Sequence, residues 1–378
     1  NSLTGSIPKE LGSLAKLQVL ILANNTMTGS VPLELANLKN LKVLLVQNNS
    51  LVTSSVSSNA FSFISLQNFT QLTTLDVSNN EFTGTIPESI FELPELEVFA
   101  AGSNCFSGFL PVNICNATNL DTIAISGLST AKTCKRYYWK GTAFSGVFNG
   151  FSAKHFMEGT LPQCIYSMPN MATVHAAGNF FLGEAPFSGE DKSGMKISRH
   201  LRDINVARNR LTGPISSQLV TAATSMGKLR SLDMSYNRIG GNLSIFSGNA
   251  ETYVNSTSPL YLALKVNHLS GDIPSSLLPL KNIKLLDGNV FWCSYGRDGL
   301  PANDYPEVES YQCGSNNMNN MLIAYGVVVI VICVVIQLIR HKRKVQHYVG
   351  IMKLWLDVAD GRRAITKDIQ ITHMKRYS

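Results

Sequence analysis

From Leu17 to Pro32 the chain reads LQVLILANNTMTGSVP, with apolar residues at Leu17, Leu20 and Leu22, an asparagine at position 25, and then Met27, Gly29, Val31 and Pro32. Leu20 and Leu22 flank Ile21 at period two. That alternation predicts a short strand burying two side chains while Gln18, Val19, Ile21, Ala23 and Asn24 face outward. One such strand cannot bury its apolar edge alone, so copies must stack and pair in parallel. The chain supplies about ten copies. Asn1, Asn25 and Asn49 lie 24 residues apart, as do Asn80 and Asn104, and Asn179, Asn209, Asn237 and Asn267 extend the series. Leu128 and His155 take the places 24 residues after Asn104 and 24 before Asn179, two degenerate rungs.

The second half recurs in phase, as LTGSIP from Leu3, MTGSVP from Met27, FTGTIP from Phe82, FSGFLP from Phe106, MEGTLP from Met157, LTGPI from Leu211 and LSGDIP from Leu269. A buried asparagine side chain in the turn after each strand can satisfy backbone groups of adjacent copies that would otherwise be stranded at ~1 to 3 kcal/mol each. The asparagines should therefore form a ladder.

The pattern LxLxxN followed by LxGxIP, from Asn1 to about Leu286, resembles the plant-type leucine-rich repeat of extracellular receptor-like proteins and receptor kinases. The resemblance implies an α/β leucine-rich-repeat solenoid with a parallel concave sheet and an irregular convex side. It carries no ligand across, because this scaffold binds peptides, sterols, glycans and proteins. The first residue is already a ladder asparagine, which predicts that a capping segment and a signal peptide precede it, or that the chain is part of a longer receptor.

Three interruptions break the period. The spacing from Asn49 to Asn80 is 31, with Val52 to Ala60 as the expected extra loop, and the spacings from Asn179 to Asn267 are 30, 28 and 30. From 129 to 156 the phase is lost, in a segment holding Lys132, Lys135, Arg136, Tyr137, Tyr138, Trp139 and Lys140. Cations beside aromatics mark either a ligand-binding island or a degenerate turn whose aromatics fill the core.

Met321 to Ile339 is 19 residues without a charge, reaching about 28 Å as a helix, and predicts a transmembrane span. The basic run RHKRK at Arg340 to Lys344 places the following tail in the cytoplasm and the repeats outside, in a plasma membrane. The chain then divides into a solenoid over 1–292 with its insert at 129–156, a cap and juxtamembrane segment over 293–320, the span over 321–339 and a basic tail over 340–378. The tail holds 10 basic and 3 acidic residues; removing them from totals of 32 and 25 leaves 22 of each. The basic balance therefore belongs to the tail, and nothing in the repeats points to nucleic acid. Val345, Tyr348, Val349, Met352, Leu356 and Ala359 recur at helical steps, predicting an amphipathic helix that contacts anionic membrane lipid.

Outside the cell, six of the seven cysteines meet an oxidising environment. Cys293 and Cys313 bracket the segment after the last repeat and are expected to pair across an end cap. Their spacing resembles the flank of algal or protist surface proteins more than that of plant receptors. Cys105, Cys115, Cys134 and Cys164 allow three connectivities, with Cys134 to Cys164 preferred across the insert. Six sequons, at Asn24, Asn48, Asn68, Asn116, Asn242 and Asn255, predict glycosylation.

The concave positions of the later turns are Arg202, Asp203, Asn205, Ala207 and Arg208, then Arg230, Ser231, Asp233, Ser235 and Tyr236, then Tyr261, Ala263, Lys265 and Val266. This stacking of Arg, Asp and Tyr predicts the ligand contact, flanked by Trp139, with glycans at Asn24 and Asn48 shielding the first turns. No GxGxxG, HRD, DFG, HExxH, GxSxG or CxxC motif occurs. His175 and Asp121 fall at exposed strand positions with no matched partner, so neither an enzyme, a metal nor a cofactor is expected. The expected function is a cell-surface receptor-like protein recognising an extracellular peptide, glycan or protein and signalling through a co-receptor kinase or adaptor. The alternatives are an anchored adhesion or structural protein and a truncated receptor kinase.

Overall fold

The computed structural model describes residues 1–54, 69–128, 130, 157–186, 196–219, 229–248, 260–293, 297–313 and 316–374. The chain falls into two compact units, Asn1–Gly314 and Ser315–Ser378.

In the first unit every LxL becomes a three-residue strand. The strands are β1 (Val19–Ile21), β2 (Val43–Leu45), β3 (Thr74–Asp76), β4 (Val98–Ala100), β5 (Thr122–Ala124), β6 (Thr173–His175), β7 (Asp203–Asn205), β8 (Ser231–Asp233), β9 (Tyr261–Ala263) and β10 (Asn282–Lys284). They form one ten-stranded parallel sheet in chain order. The central residue of each strand is buried, from Leu20 and Leu44 through Ile204 to Leu262 and Ile283. The LxGxIP halves add short parallel strands of their own, such as Thr4–Gly5, Thr26–Gly29 and Ser50–Leu51 in one sheet. Their glycines bend the chain out of these strands in the left-handed region, with φ of 94° at Gly84 and 85° at Gly108, which explains why this position is glycine. The proline that follows fixes an extended φ and opens a 3-10 helix, as Pro32 does for Leu33–Asn37 and Pro87 for Glu88–Glu92.

The asparagines form the expected ladder. Asn49 Oδ1 accepts from Met27 N at 3.0 Å, while its Nδ2 donates to Leu22 O of the preceding turn at 2.9 Å and to Val46 O of its own at 3.0 Å. Asn80, Asn104, Asn179, Asn209, Asn237 and Asn267 repeat this arrangement. Where Leu128 replaces asparagine, its backbone carbonyl takes the lost role, accepting from Phe106 N at 2.8 Å. Asn289 is a further rung, accepting from Leu269 N at 3.0 Å and donating to Leu264 O at 2.9 Å. Sequence spacing missed it because Gly288, at φ 67°, adds a residue between strand and rung.

Three expectations need correcting. The reading of two degenerate rungs fails because β5 pairs directly with β6, Thr122 opposite Thr173, leaving no place in the sheet for His155. Met157–Glu158 instead pairs with Gly108–Phe109, so 129–156 interrupts a single turn between its rung and its LxGxIP half. Cys164 bonds Cys115, not Cys134, across a Cα separation of 5.7 Å. The reason is the stacking of successive turns: Cys115 and Cys164 lie on the helices Val112–Asn116 and Gln163–Ser167, which follow the LxGxIP halves of adjacent turns. Cys105 is disulfide-bonded as well. Ala207, Ser235 and Ala263, expected at the surface, are 7%, 3% and 2% exposed. Small side chains on a concave surface lie below their larger neighbours and are covered by them.

The last turn is closed by polar groups rather than by another strand. Asp304, 1% exposed, accepts from Leu285 N at 2.7 Å and Leu286 N at 2.8 Å through Oδ2, replacing the carbonyls a further strand would supply. Lys284 Nζ lies 3.5 Å from Asp304 Oδ1 and 3.6 Å from Glu307. Tyr311 Oη accepts from Phe291 N at 2.6 Å and donates to Asn289 O at 3.0 Å, and Cys293 bonds Cys313 at a Cα separation of 5.4 Å. Burial raises the Tyr311 pKa, with the Phe291 hydrogen bond opposing it.

The second unit contains one helix, Asn316–Met374. Its stretch Tyr325–Lys353 is long and apolar enough to cross a membrane. The helix continues unbroken through Arg340 to Lys344 and the expected amphipathic segment, so charge and not a change of backbone marks where a span would end.

Candidate functional site

Parallel pairing in register turns each strand position into a column running across the turns. Arg202 and Arg230 share the position before the strand, where Arg230 N donates to Arg202 O at 2.7 Å. Asp203, Ser231 and Tyr261 share its first position, and Asn205, Asp233 and Ala263 its third. Arg202, Arg208, Arg230 and Tyr261 are exposed, and Asp203, Asn205, Asp233, Tyr236 and Lys265 are half-buried. These nine expected contacts therefore share one face. Trp139 lies outside the described residues.

One column was invisible in the sequence. The residue before each ladder asparagine adopts left-handed backbone, with φ of 57° at Asn24 and Asn48, 54° at Asn79, 55° at Arg208, 56° at Tyr236 and 53° at Val266. Asparagine tolerates this region, but a β-branched residue there is strained by about 1 to 2 kcal/mol. In the first turns the column is an amide chain: Asn79 Nδ2 donates to Asn48 Oδ1 at 2.6 Å and Asn48 Nδ2 to Asn24 Oδ1 at 2.8 Å. In the later turns the same column holds Arg208, Tyr236 and Val266, with Lys265 one position before the last.

There the Arg208 guanidinium lies 4.8 Å from the centre of the Tyr236 ring and the Lys265 ammonium 5.4 Å from it. Partial burial pulls the Lys265 pKa down, yet its hydrogen bond and charge interaction with Tyr236, with Asp287 and Glu307 behind them, leave it raised. The Tyr261 pKa is raised by burial and by Asp233, with Lys265 opposing. Two expected ligand contacts are already partly engaged. Asn205 Oδ1 accepts from Ala207 N at 3.2 Å and Asp233 Oδ1 from Ser235 N at 3.0 Å, which fixes the bend after each strand. The cations carry no such commitment to the backbone. The face therefore presents Arg202, Arg208, Arg230 and Lys265 around a held tyrosine ring, an arrangement suited to an anionic group with an apolar neighbour.

Among the sequons, Asn24, Asn48, Asn116 and Asn242 are exposed, while Asn68 and Asn255 lie outside the described residues. Among the described residues no group of three or more His, Cys, Asp or Glu side chains could hold a metal ion. His175 and Asp121 are half-buried, on β6 and immediately before β5.

Comparison with known proteins supports this architecture. Leucine Rich Repeat family models match residues 16–38, 71–93 and 228–242. Receptor-like protein 39 of Arabidopsis thaliana is 28% identical over 85% of this chain and 42% of its own length. Receptor-like protein 35 of the same plant is also 28% identical, over 66% of this chain and 22% of its own length. The chain thus spans less than half of the curated relatives it matches. Among solved structures, the leucine-rich-repeat ectodomain of the Arabidopsis receptor kinase HAESA with an N-terminally extended IDA peptide hormone superposes at a TM-score of 0.59, with 25% identity, over 84% of this chain and 44% of that one. The plant peptide hormone receptor RGFR1 in complex with RGF2 gives a TM-score of 0.55 at 26% identity, over 77% of this chain and 39% of that one.

Proposed function

This chain is a plant-type leucine-rich-repeat protein similar to receptor-like proteins, and from that premise we propose that it is a cell-surface receptor-like protein recognising an extracellular ligand. The observation that carries the proposal is the cluster Arg208, Tyr236 and Lys265, in which two cations flank one ring on the concave sheet. Arg and Tyr concentrate binding energy where they are pre-organised, and Arg grips a carboxylate through two hydrogen bonds. Contact runs from Arg202 to Lys265, taking in Asp203, Asn205, Arg230, Asp233 and Tyr261.

A peptide is the favoured ligand, because the similar solved receptors hold peptide hormones. A glycan or a protein offering an exposed carboxylate would meet the same cations. Glycans at Asn24 and Asn48 cover the first turns and leave the later ones open. We place the repeats outside the plasma membrane, residues 321–339 across it and 340–378 in the cytoplasm, where the basic tail contacts anionic lipid at ~1 kcal/mol per basic residue. On this reading, signalling passes to a co-receptor kinase or adaptor.

Replacing residues 321–378 with a lipid anchor separates this reading from passive adhesion. The proposal expects unchanged surface display and ligand binding, with loss of the downstream response and of any kinase co-purifying with the tail. Full response from the lipid-anchored protein would remove the signalling role.

A further inference from the structure

A second set of side chains lies to one side of the concave patch, and its order is set by the same register. β4, β5, β6 and β7 are consecutive in the sheet, with Val98, Thr122, Thr173 and Asp203 aligned. Three residues before these positions stand Glu95, Asn119, Asn170 and His200; one residue before them stand Glu97, Asp121, Ala172 and Arg202. These two columns of four line a cleft of about 450 Å³ at the strand-entry edge, within the range of about 300 to 1,000 Å³ usual for ligand sites.

The charge along this cleft is graded. Its first turn contributes two carboxylates, the second one, the third a carboxamide and a methyl group, and the fourth the Arg202 guanidinium beside the His200 imidazole. Among the described residues no ion pair forms with Glu95, Glu97, Asp121 or Arg202, so neither the acids nor Arg202 is neutralised in that way. The two asparagines are oriented by their donors: Asn119 Nδ2 donates to Pro94 O at 2.8 Å and Asn170 Nδ2 to Thr118 O at 3.1 Å. Each leaves its Oδ1 free to accept. The inner column stands on paired backbone, with Asp121 N donating to Glu97 O at 2.9 Å, Ala172 N to Asp121 O at 2.8 Å and Arg202 N to Ala172 O at 2.8 Å. The spacing of the charges is therefore fixed before anything binds.

We infer that this cleft is a second binding site, taking a short extended peptide segment with a basic side chain at one end and a carboxylate at the other. The basic group lies over Glu95, Glu97 and Asp121, the carboxylate meets Arg202, and the middle amides donate to the free oxygens of Asn119 and Asn170. Three sheet spacings separate the poles by about 14 Å, which an extended chain covers in about four residues. The site meets the concave patch at Arg202, which both share, but leaves out the Tyr236 column, and Ala172 opens the floor where a longer side chain would close the cleft.

The test uses the full-length protein in lipid nanodiscs and three blocked pentapeptides, RGSGD, QGSGD and RGSGN, read by saturation-transfer NMR and by competition. The inference expects RGSGD to bind at least about tenfold more tightly than either neutralised peptide. Glu97→Gln combined with Asp121→Asn should abolish the preference for arginine, while Lys42→Ala, on an exposed side chain outside both sites, leaves it unchanged. Arg202→Glu supplies a gain that misfolding cannot imitate: it should transfer the preference from RGSGD to RGSGK. Equal binding of RGSGD and QGSGD, or an Arg202→Glu protein that still prefers RGSGD, would overturn the inference while leaving the Tyr236 site untouched.

Discussion

Replacing Asn104 with alanine tests the ladder at its most exacting rung. Asn104 is fully buried; its Oδ1 accepts from Phe82 N at 3.1 Å and its Nδ2 donates to Val77 O and Ala101 O, each at 3.0 Å. Val77 O would keep a second donor, Asn80 Nδ2 at 3.2 Å. Ala101 O would not, because the next rung is Leu128, which has no amide to offer. Asn104→Ala therefore strands one buried N–H and one buried carbonyl, at ~1 to 3 kcal/mol each, for a cost of about 2 to 6 kcal/mol. Asn237→Ala is the matched comparison. It strands Leu211 N, while Val206 O keeps Asn209 and Met234 O keeps Asn267, so about 1 to 3 kcal/mol is expected. Urea unfolding of secreted Asn1–Gly314, with hydrogen exchange followed at Phe82 and Leu211, reads both. An Asn104→Ala cost no larger than that of Asn237→Ala, or unchanged exchange at Phe82, would refute the accounting.

Four further outcomes are expected. Cys293→Ser should cost on the order of 2 to 4 kcal/mol and lower secretion of the soluble repeats, because it unties the segment holding Asp304 and Tyr311 over the last turn; two free thiols in folded, non-reduced protein would contradict it. Val266→Asn should raise stability by about 1 kcal/mol by relieving a left-handed β-branched residue at φ 53°, and a lower unfolding midpoint would count against that strain. The folded Tyr311 pKa is raised above 10.0, so as pH rises the unfolded chain loses this proton first; stability should fall from about pH 10 upward, and less so in Tyr311→Phe, as alkaline titration of the unfolding midpoint would reveal. Protease added to intact cells should remove the repeats and spare the tail, whereas an intact ectodomain with a digested tail would reverse the topology.

Most of the repeat scaffold was legible because its constraints are local. The LxL alternation places the strands of the main sheet, and glycine and proline in phase place the short second-half strands and the 3-10 helices. The period fails where a backbone atom substitutes for a side chain. Leu128 keeps its rung through its carbonyl, and Asn289 keeps one despite the added Gly288, so counting residues invented a rung at His155 and missed one at Asn289. Disulfide choice was hidden for a related reason, since Cys115 and Cys164 become neighbours only once Met157–Glu158 is known to pair with Gly108–Phe109. At the concave site the exposed charges could be read from alternation alone. The left-handed column could not, because Arg208, Tyr236 and Val266 are residue types that give no sign of positive φ. The lateral cleft needed the register of four strands before its graded charge could be seen.

Binding to the concave face itself is the most direct measurement. A ligand selected from a random peptide library on the glycosylated ectodomain should lose at least about tenfold in affinity with each of Arg208→Ala, Arg230→Ala and Tyr236→Ala, and none with Lys42→Ala. Unchanged affinity in the three variants, with folding intact, or a loss confined to Lys42→Ala, would contradict recognition through the later turns.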